Sequence, residues 1–270
     1  MSMVSNALPS LLLFVSALLY WAELWTSKRR FARAAFGVLV AGTVLGTLAL
    51  FTPQASGITL VSGLEGSLFR FAWFIAVVYV ASELWLKLPV LGAFVAPLLF
   101  LLTIPQALSH SSAIPRTAAA ADPLVTLHIA LVLLGGGLFA VAFVAGTLYL
   151  FQERRLKAKH VGRFLMKLPS ITKLDSLNLW LLLTGFPLLT VGIAVGIASA
   201  KQAWGVYWKW DYKGVGAIVT WLIFAALIHG RLVFGWKGRK AAAGAILGFI
   251  AIVATVLVSS YFTASLRLGP

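Results

Sequence analysis

The chain has 270 residues, of which 61% are hydrophobic and only 11% charged, with a mean hydropathy of +0.97; a water-soluble domain of this length has no use for so much apolar surface. It contains no cysteine, which excludes disulfides, thiol chemistry and Cys-ligated metals for this chain acting alone. The formal charge of +15 does not point to nucleic acid, because the basic residues flank apolar segments, where they fix topology and meet anionic lipid headgroups.

A helix needs about 20 apolar residues to cross hydrocarbon. In chain order the predicted spans are 7–25, 34–52, 68–86, 88–104, 124–151, 178–200, 214–234 and 243–263, an all-α polytopic bundle of eight transmembrane helices. The first lacks a basic leader and is followed by Lys28, Arg29, Arg30 and Arg33, a stop-transfer pattern and not a cleavable signal peptide. The fourth begins at Leu88-Pro89 directly after Lys87 and is expected to pair with the third as a tight hairpin. The first and third spans end alike, in Tyr20-Trp21-Ala22-Glu23-Leu24-Trp25 and Tyr79-Val80-Ala81-Ser82-Glu83-Leu84-Trp85, which suggests a duplicated helix pair. The Ala/Ser/Pro-rich segment from Pro105 to Pro123 reads as an outer loop dividing an N-terminal four-helix half, residues 1–120, from a C-terminal half, residues 121–270.

Loop charge gives an orientation. If the first connection faces the cytoplasm, 16 of the 22 Lys and Arg residues fall on that side, as the positive-inside rule requires. Both termini are then expected outside, as is the connection between the sixth and seventh spans. For a bacterial cytoplasmic membrane this puts that connection on the periplasmic or extracellular side.

That connection is Trp204-Gly205-Val206-Tyr207-Trp208-Lys209-Trp210-Asp211. Indole and phenol rings combine a large apolar face with a polar tip, which suits either an interfacial belt or the stacking of a planar macrocycle. Four aromatics within seven residues exceed what anchoring a helix end requires, which favours the ligand platform.

Imidazole is the usual neutral nitrogen ligand of haem iron. His128 sits about 6 Å from the outer end of the fifth span and His229 about 22 Å below that of the seventh, at 1.5 Å per residue. One iron therefore cannot take both, and the two mark separate sites or stations. By position alone, His128 is more simply a solvated interfacial residue. His229 lies inside the membrane, where an ionisable group ordinarily faces a bundle interior or cavity, although the nearby Arg231 and inner surface also allow a structural hydrogen bond. His110 falls in the outer loop, solvated or folded over the platform, and His160 in a basic cytoplasmic patch.

The aromatic run, followed by Trp221-Leu222-Ile223-Phe224 and His229-Gly230-Arg231, resembles the tryptophan-rich signature and following helix of the CcsA/ResC cytochrome c assembly family. The flanks agree: His128 opens a helix ending Tyr149-Leu150-Phe151-Gln152-Glu153-Arg154-Arg155-Leu156-Lys157, then come Leu168-Pro169-Ser170, Gly185-Phe186-Pro187-Leu188-Leu189 and Gly235-Trp236-Lys237-Gly238-Arg239-Lys240. The resemblance covers roughly residues 124–262, while length and span count look closer to the compact HemX/YpjD-like branch. It implies haem held as cargo between two histidines on the tryptophan-rich loop and presented to an apocytochrome c. Carried over by position, His128 matches the first outer axial histidine, His229 the histidine of a transmembrane haem-entry site, and Trp204, Trp208, Trp210 and Asp211 the platform. The implied partners are membrane lipid, a CcsB/ResB-like subunit and apocytochrome c.

Two departures stand out. Tyr212-Lys213-Gly214 follows the Asp where the family has Pro-Lys-Glu, and the last helix, at Tyr261-Phe262-Thr263-Ala264-Ser265-Leu266, carries no second axial histidine. Substitutes for the missing ligand are His110, Tyr207, Tyr261, an exogenous ligand or a partner's histidine. Lys201, Lys209 and Lys213 are candidates to pair with haem propionates, or to snorkel to the interface. Three readings follow: a haem-handling subunit of cytochrome c maturation; a HemX-like regulator or scaffold of haem biosynthesis without ligation, favoured by the missing histidine; and a small-molecule transporter, with Gly135-Gly136-Gly137 as a break within a span. Thioether formation uses thiols of the apocytochrome, so no catalytic residue is assigned to this chain.

Overall fold

The computed structural model describes residues 2–51, 63–108, 122–159 and 162–265. Among them every regular element is helical: α1 (Ser2–Thr26), α2 (Arg29–Phe51), α3 (Leu64–Leu86), a 3-10 turn at Pro89–Leu91, α4 (Gly92–Leu108), α5 (Pro123–Lys157), α6 (Arg163–Lys167), α7 (Ile171–Trp204), α8 (Tyr212–Leu232) and α9 (Arg239–Ser265). Eight of these are long and apolar enough to cross a membrane, and each coincides with a predicted span. Helix is the required answer, since hydrocarbon offers no partner for an unpaired backbone N–H or C=O.

Several helices outrun their predicted apolar cores. α2 starts at Arg29 and α7 at Ile171, because polar turns at the headgroup level continue the backbone ladder beyond the hydrocarbon. α4 runs through Pro105 to Leu108, so the segment expected as loop begins inside a helix. The glycine break expected at Gly135-Gly136-Gly137 is absent, and α5 passes through it as unbroken α-helix. The small residues there serve packing instead: a Cβ on Gly135 would lie 3.0 Å from the carbonyl oxygen of Gly185 on α7.

The chain forms two compact units. The first comprises residues 1–115 and 151–171, the second residues 116–150 and 172–270.

In the first unit α1 packs against α2 and α4, and α3 against α4 in the expected hairpin. Ser16 donates to the carbonyl of Ala35 at 2.9 Å and Trp73 donates to Thr47 at 2.9 Å, so buried hydroxyls and indoles close the helix contacts. The twin sequence motifs repeat as structure. Ser27 (φ 58°) and Lys87 (φ 53°) take the left-handed position after α1 and α3, and their N–H groups donate to Glu23 and Glu83 at 2.8 and 2.9 Å. Tyr20 and Tyr79 are fully buried, their hydroxyls 3.1 Å apart and their rings edge to face at 6.3 Å. Gly92, opening α4, fits where any Cβ would collide with the Tyr20 ring and the Tyr79 hydroxyl.

In the second unit the core is aromatic. Phe139 of α5 stacks on Phe224 of α8 at 3.6 Å, and Phe143 on Phe249 of α9 at 4.6 Å. A Cβ on Gly146 would lie 3.1 Å from the carbonyl oxygen of Ala242, so α5 and α9 meet backbone to backbone. Arg231 pairs with Asp175 at 3.0 Å, and the N–H of Gly238 donates to the same carboxylate at 2.9 Å. One acid thus ties α7 to α8 and to the turn before α9.

Candidate functional site

The aromatic run is a short, capped connection between α7 and α8. Gly205 ends α7 in the left-handed region (φ 74°), its N–H donating to the carbonyl of Lys201 at 2.9 Å. Lys201 folds back, donating from Nζ to the carbonyl of Gly205 at 3.0 Å with its charge 4.7 Å from the Tyr207 ring centroid. Asp211 is the N-cap of α8, its Oδ1 accepting from the N–H of Gly214 at 2.8 Å. A side chain at 214 would run into the carbonyl oxygen of Lys209 and press on the Trp208 ring, so glycine lets the loop lie against the first turn of α8. Tyr212-Lys213-Gly214, one of the two departures from the resembled signature, thus forms a capped glycine turn.

This geometry sorts the aromatics. Trp210 and Tyr207 are 79% and 62% exposed, whereas Trp208 is half-buried and meets Trp210 edge to face at 6.3 Å. Trp208 also lines a groove of about 420 Å³ between α7 and α8, with Ile193, Ala194 and Ile197 on one side and Ile218 and Trp221 on the other. Its volume falls in the range of small-molecule sites, roughly 300–1,000 Å³. Trp221 donates to Thr190 at 3.0 Å, but among the described residues the buried Nε1 of Trp208 has no acceptor. A buried N–H left unpaired costs on the order of 1–3 kcal/mol.

His128 lies in the second turn of α5, packed on α7. Its Nδ1 is 2.7 Å from the carbonyl oxygen of Gly192, and a Cβ on Gly196 would sit 2.6 Å from that same nitrogen. Glycine at 196 makes room for the ring, and glycine at 192, where a Cβ would lie 2.9 Å from Val132, lets α5 approach α7. A carbonyl can only accept, so the proton sits on Nδ1, and Nε2 keeps the lone pair that binds a metal. Orientation of this kind is what metal-ligating histidines ordinarily receive from their other nitrogen. Gly192 and Gly196 lie next to Ile193 and Ile197 on the same two turns of α7, about 100° around the helix. The histidine and the apolar groove therefore share one stretch of one helix, on neighbouring faces.

His229 is placed differently. It lies in the last turn of α8, exposed, with its ring 5.4 Å from that of Phe234. The buried face of α8 carries Thr220, Phe224, Leu227, Gly230 and Arg231. His229 thus does not face the interior of its own unit, and Arg231 is paired with Asp175, not with the imidazole. Along the helices the two histidines are separated by roughly 18 Å of rise, so the structure does not bring them to one centre.

Trp204 ends α7, and its side chain, like that of Tyr261, is not among the described ones. His110 and His160 lie outside the described residues. Among the described residues no three His, Asp or Glu side chains come together as a metal cluster. The groove residues Ile193, Ala194, Ile197 and Ile218 were not legible in advance, since every face of these helices is apolar. Gly192 and Gly196 had a signal, the small-residue spacing of close helix contacts.

Comparison with known proteins shows the family. A family model described as "Cytochrome C assembly protein" matches residues 61–266. The cytochrome c biogenesis protein CcsA of Guillardia theta is 30% identical over 271 residues, covering 92% of this chain and 89% of the relative. CcsA of Chlamydomonas reinhardtii is 32% identical, over 79% of this chain and 61% of the relative. Among solved structures, the cytochrome c heme lyase CcmF shares the fold at a TM-score of 0.64 and 16% identity, over 94% of this chain and 45% of that one. By the extent of these matches, the chain belongs to the cytochrome c assembly protein family, multi-pass membrane proteins of cytochrome c maturation.

Proposed function

We propose that this chain binds haem as cargo at the α7–α8 end of its second unit and presents it on the outer face of the membrane to an apocytochrome c. His128 supplies the axial nitrogen, the groove takes an edge of the macrocycle, and Trp208 and Trp210 stack on it, with Trp204 completing the platform. Asp211 acts by holding the loop in shape as the cap of α8. The observation that carries this reading is the hydrogen bond between His128 Nδ1 and Gly192, which holds the ring against α7 with Nε2 as its metal-binding nitrogen. Support comes also from the apolar groove on the same turns of α7 and from relatives named for cytochrome c biogenesis.

His229, exposed in its own unit, is a second station on the haem path, and a CcsB/ResB-like partner subunit supplies the ligand that completes it. Iron held by one protein imidazole is chemically ordinary.

The test is the visible spectrum of protein purified from haem-replete membranes. The wild type is expected to carry a haem absorbance that falls at least tenfold in His128→Ala and returns when His128→Gly is supplied with free imidazole. A colourless wild type after haem loading, or a His128→Ala spectrum equal to it, ends the proposal.

A further inference from the structure

A second cavity, of about 940 Å³, opens in the first unit, where six ionisable side chains converge. Arg29 and Arg33 come from the first two turns of α2, Lys87 from the cap of α3, Lys167 from the end of α6, and Glu23 and Glu83 from the twin motifs. Two features of this cluster call for a ligand. Four cations face two carboxylates, and among the described residues none of the four forms an ion pair with Glu23 or Glu83. Among the described residues, Lys167 is held by the carbonyl oxygens of Glu23 and Leu24. In addition, the first turn of α2 has no acidic residue. Arginines there add to the positive end of the helix dipole, a repulsion that an anion would relieve.

The surroundings indicate which anion. Trp25 and Trp85, the last residues of the twin motifs, are each 85% exposed, as residues of an interfacial aromatic belt are. Phe36 and Leu84 add apolar wall to the same cavity. The site thus lies at headgroup level and offers cations above and hydrocarbon below, the chemistry of basic pockets between transmembrane helices that take phospholipid headgroups. The formal charges leave two negative charges to be supplied, which matches a headgroup carrying two phosphodiesters.

We propose that this cavity is a specific site for an anionic phospholipid of the diphosphatidylglycerol type, its phosphates held by Arg29, Arg33, Lys87 and Lys167.

The full chain in neutral detergent, titrated with diphosphatidylglycerol and followed by native mass spectrometry, tests this. One lipid is expected to bind, against no retention of phosphatidylcholine. Affinity should fall at least about tenfold in Arg29→Gln/Arg33→Gln and in Lys87→Gln, and be kept in Arg33→Lys. Arg154→Gln/Arg155→Gln, exposed cations that do not line the cavity, should bind as the wild type. Lys87→Gln occupies an exposed helix cap and serves if the double variant does not fold. Equal weakening by the Arg154/Arg155 pair, or none by the cavity variants, would overturn the site. Displacement of the lipid by inorganic phosphate would reduce it to a simple anion site, and displacement by equimolar protoporphyrin IX would reassign it to a macrocyclic dicarboxylate. Either result defeats the lipid proposal.

Discussion

Both units place aromatic side chains with polar tips near helix ends; Trp25 and Trp85 of the first are 85% exposed, but Tyr20, Trp21 and Tyr79 are treated in the opposite way from the aromatics of the α7–α8 connection. In the first, Tyr20 and Tyr79 are buried and bonded to each other, and Trp21 donates to the carbonyl of Ala93 at 2.8 Å. In the second, Tyr207 and Trp210 stay largely exposed, and Trp208 buries an N–H with no acceptor among the described residues. Polar groups that satisfy one another hold helices together and ask nothing of a ligand. Groups left exposed or unpaired beside an apolar groove keep binding capacity that the fold itself does not use. The same residue types therefore join helices at Tyr20 and Tyr79 and stay exposed at Tyr207 and Trp210.

The comparison can be broken at four points. The largest effect is expected where the second unit does pair its charges. Arg231→Met leaves Asp175 without its ion-pair partner and should lower stability by about 3 kcal/mol in detergent unfolding, with most of the loss recovered in Arg231→Met/Asp175→Leu. Next, Tyr79→Phe strands the buried hydroxyl of Tyr20, at a cost of about 2 kcal/mol, and should leave any haem absorbance unchanged. Asp211→Ala removes the cap of α8 and should cost about 1 kcal/mol by the same unfolding measurement. Asp211→Ser restores the cap, and if it fails to restore haem retention the carboxylate is more than a cap. The smallest effect belongs to Trp208→Phe. Deleting an unpaired donor should leave the melting temperature of ligand-free protein unchanged or slightly raised, while haem retention drops several-fold. A destabilised Trp208→Phe would mean that the indole N–H already has a partner, and the contrast between the units would disappear.

Much of the architecture was readable residue by residue. Eight apolar runs of about 20 residues gave eight membrane-length helices, because a continuous run of that length closes its backbone hydrogen bonds in hydrocarbon within itself. Helix ends were less legible, as at Arg29 and Ile171, since polar turns at headgroup level carry no hydrophobic signal. The triple glycine of α5 misled, because a glycine-rich stretch marks close helix packing as readily as a break. The twin Tyr and Glu motifs were visible as a repeat, but not that their tyrosines would meet.

For the site, sequence named His128, Trp204, Trp208, Trp210, Asp211 and His229, and it separated the two histidines by depth. It could not say that His128 would have its Nδ1 on Gly192, that Asp211 would cap α8, or that His229 would face away from its own core. Composition and hydropathy determine which residues must cross the membrane, since that preference is local and additive along the chain. Which face of a helix meets which neighbour depends on rotations of about 100° per residue and on close approaches at single glycines. Those are settled only when the helices pack, and they decide which imidazole nitrogen is left to bind.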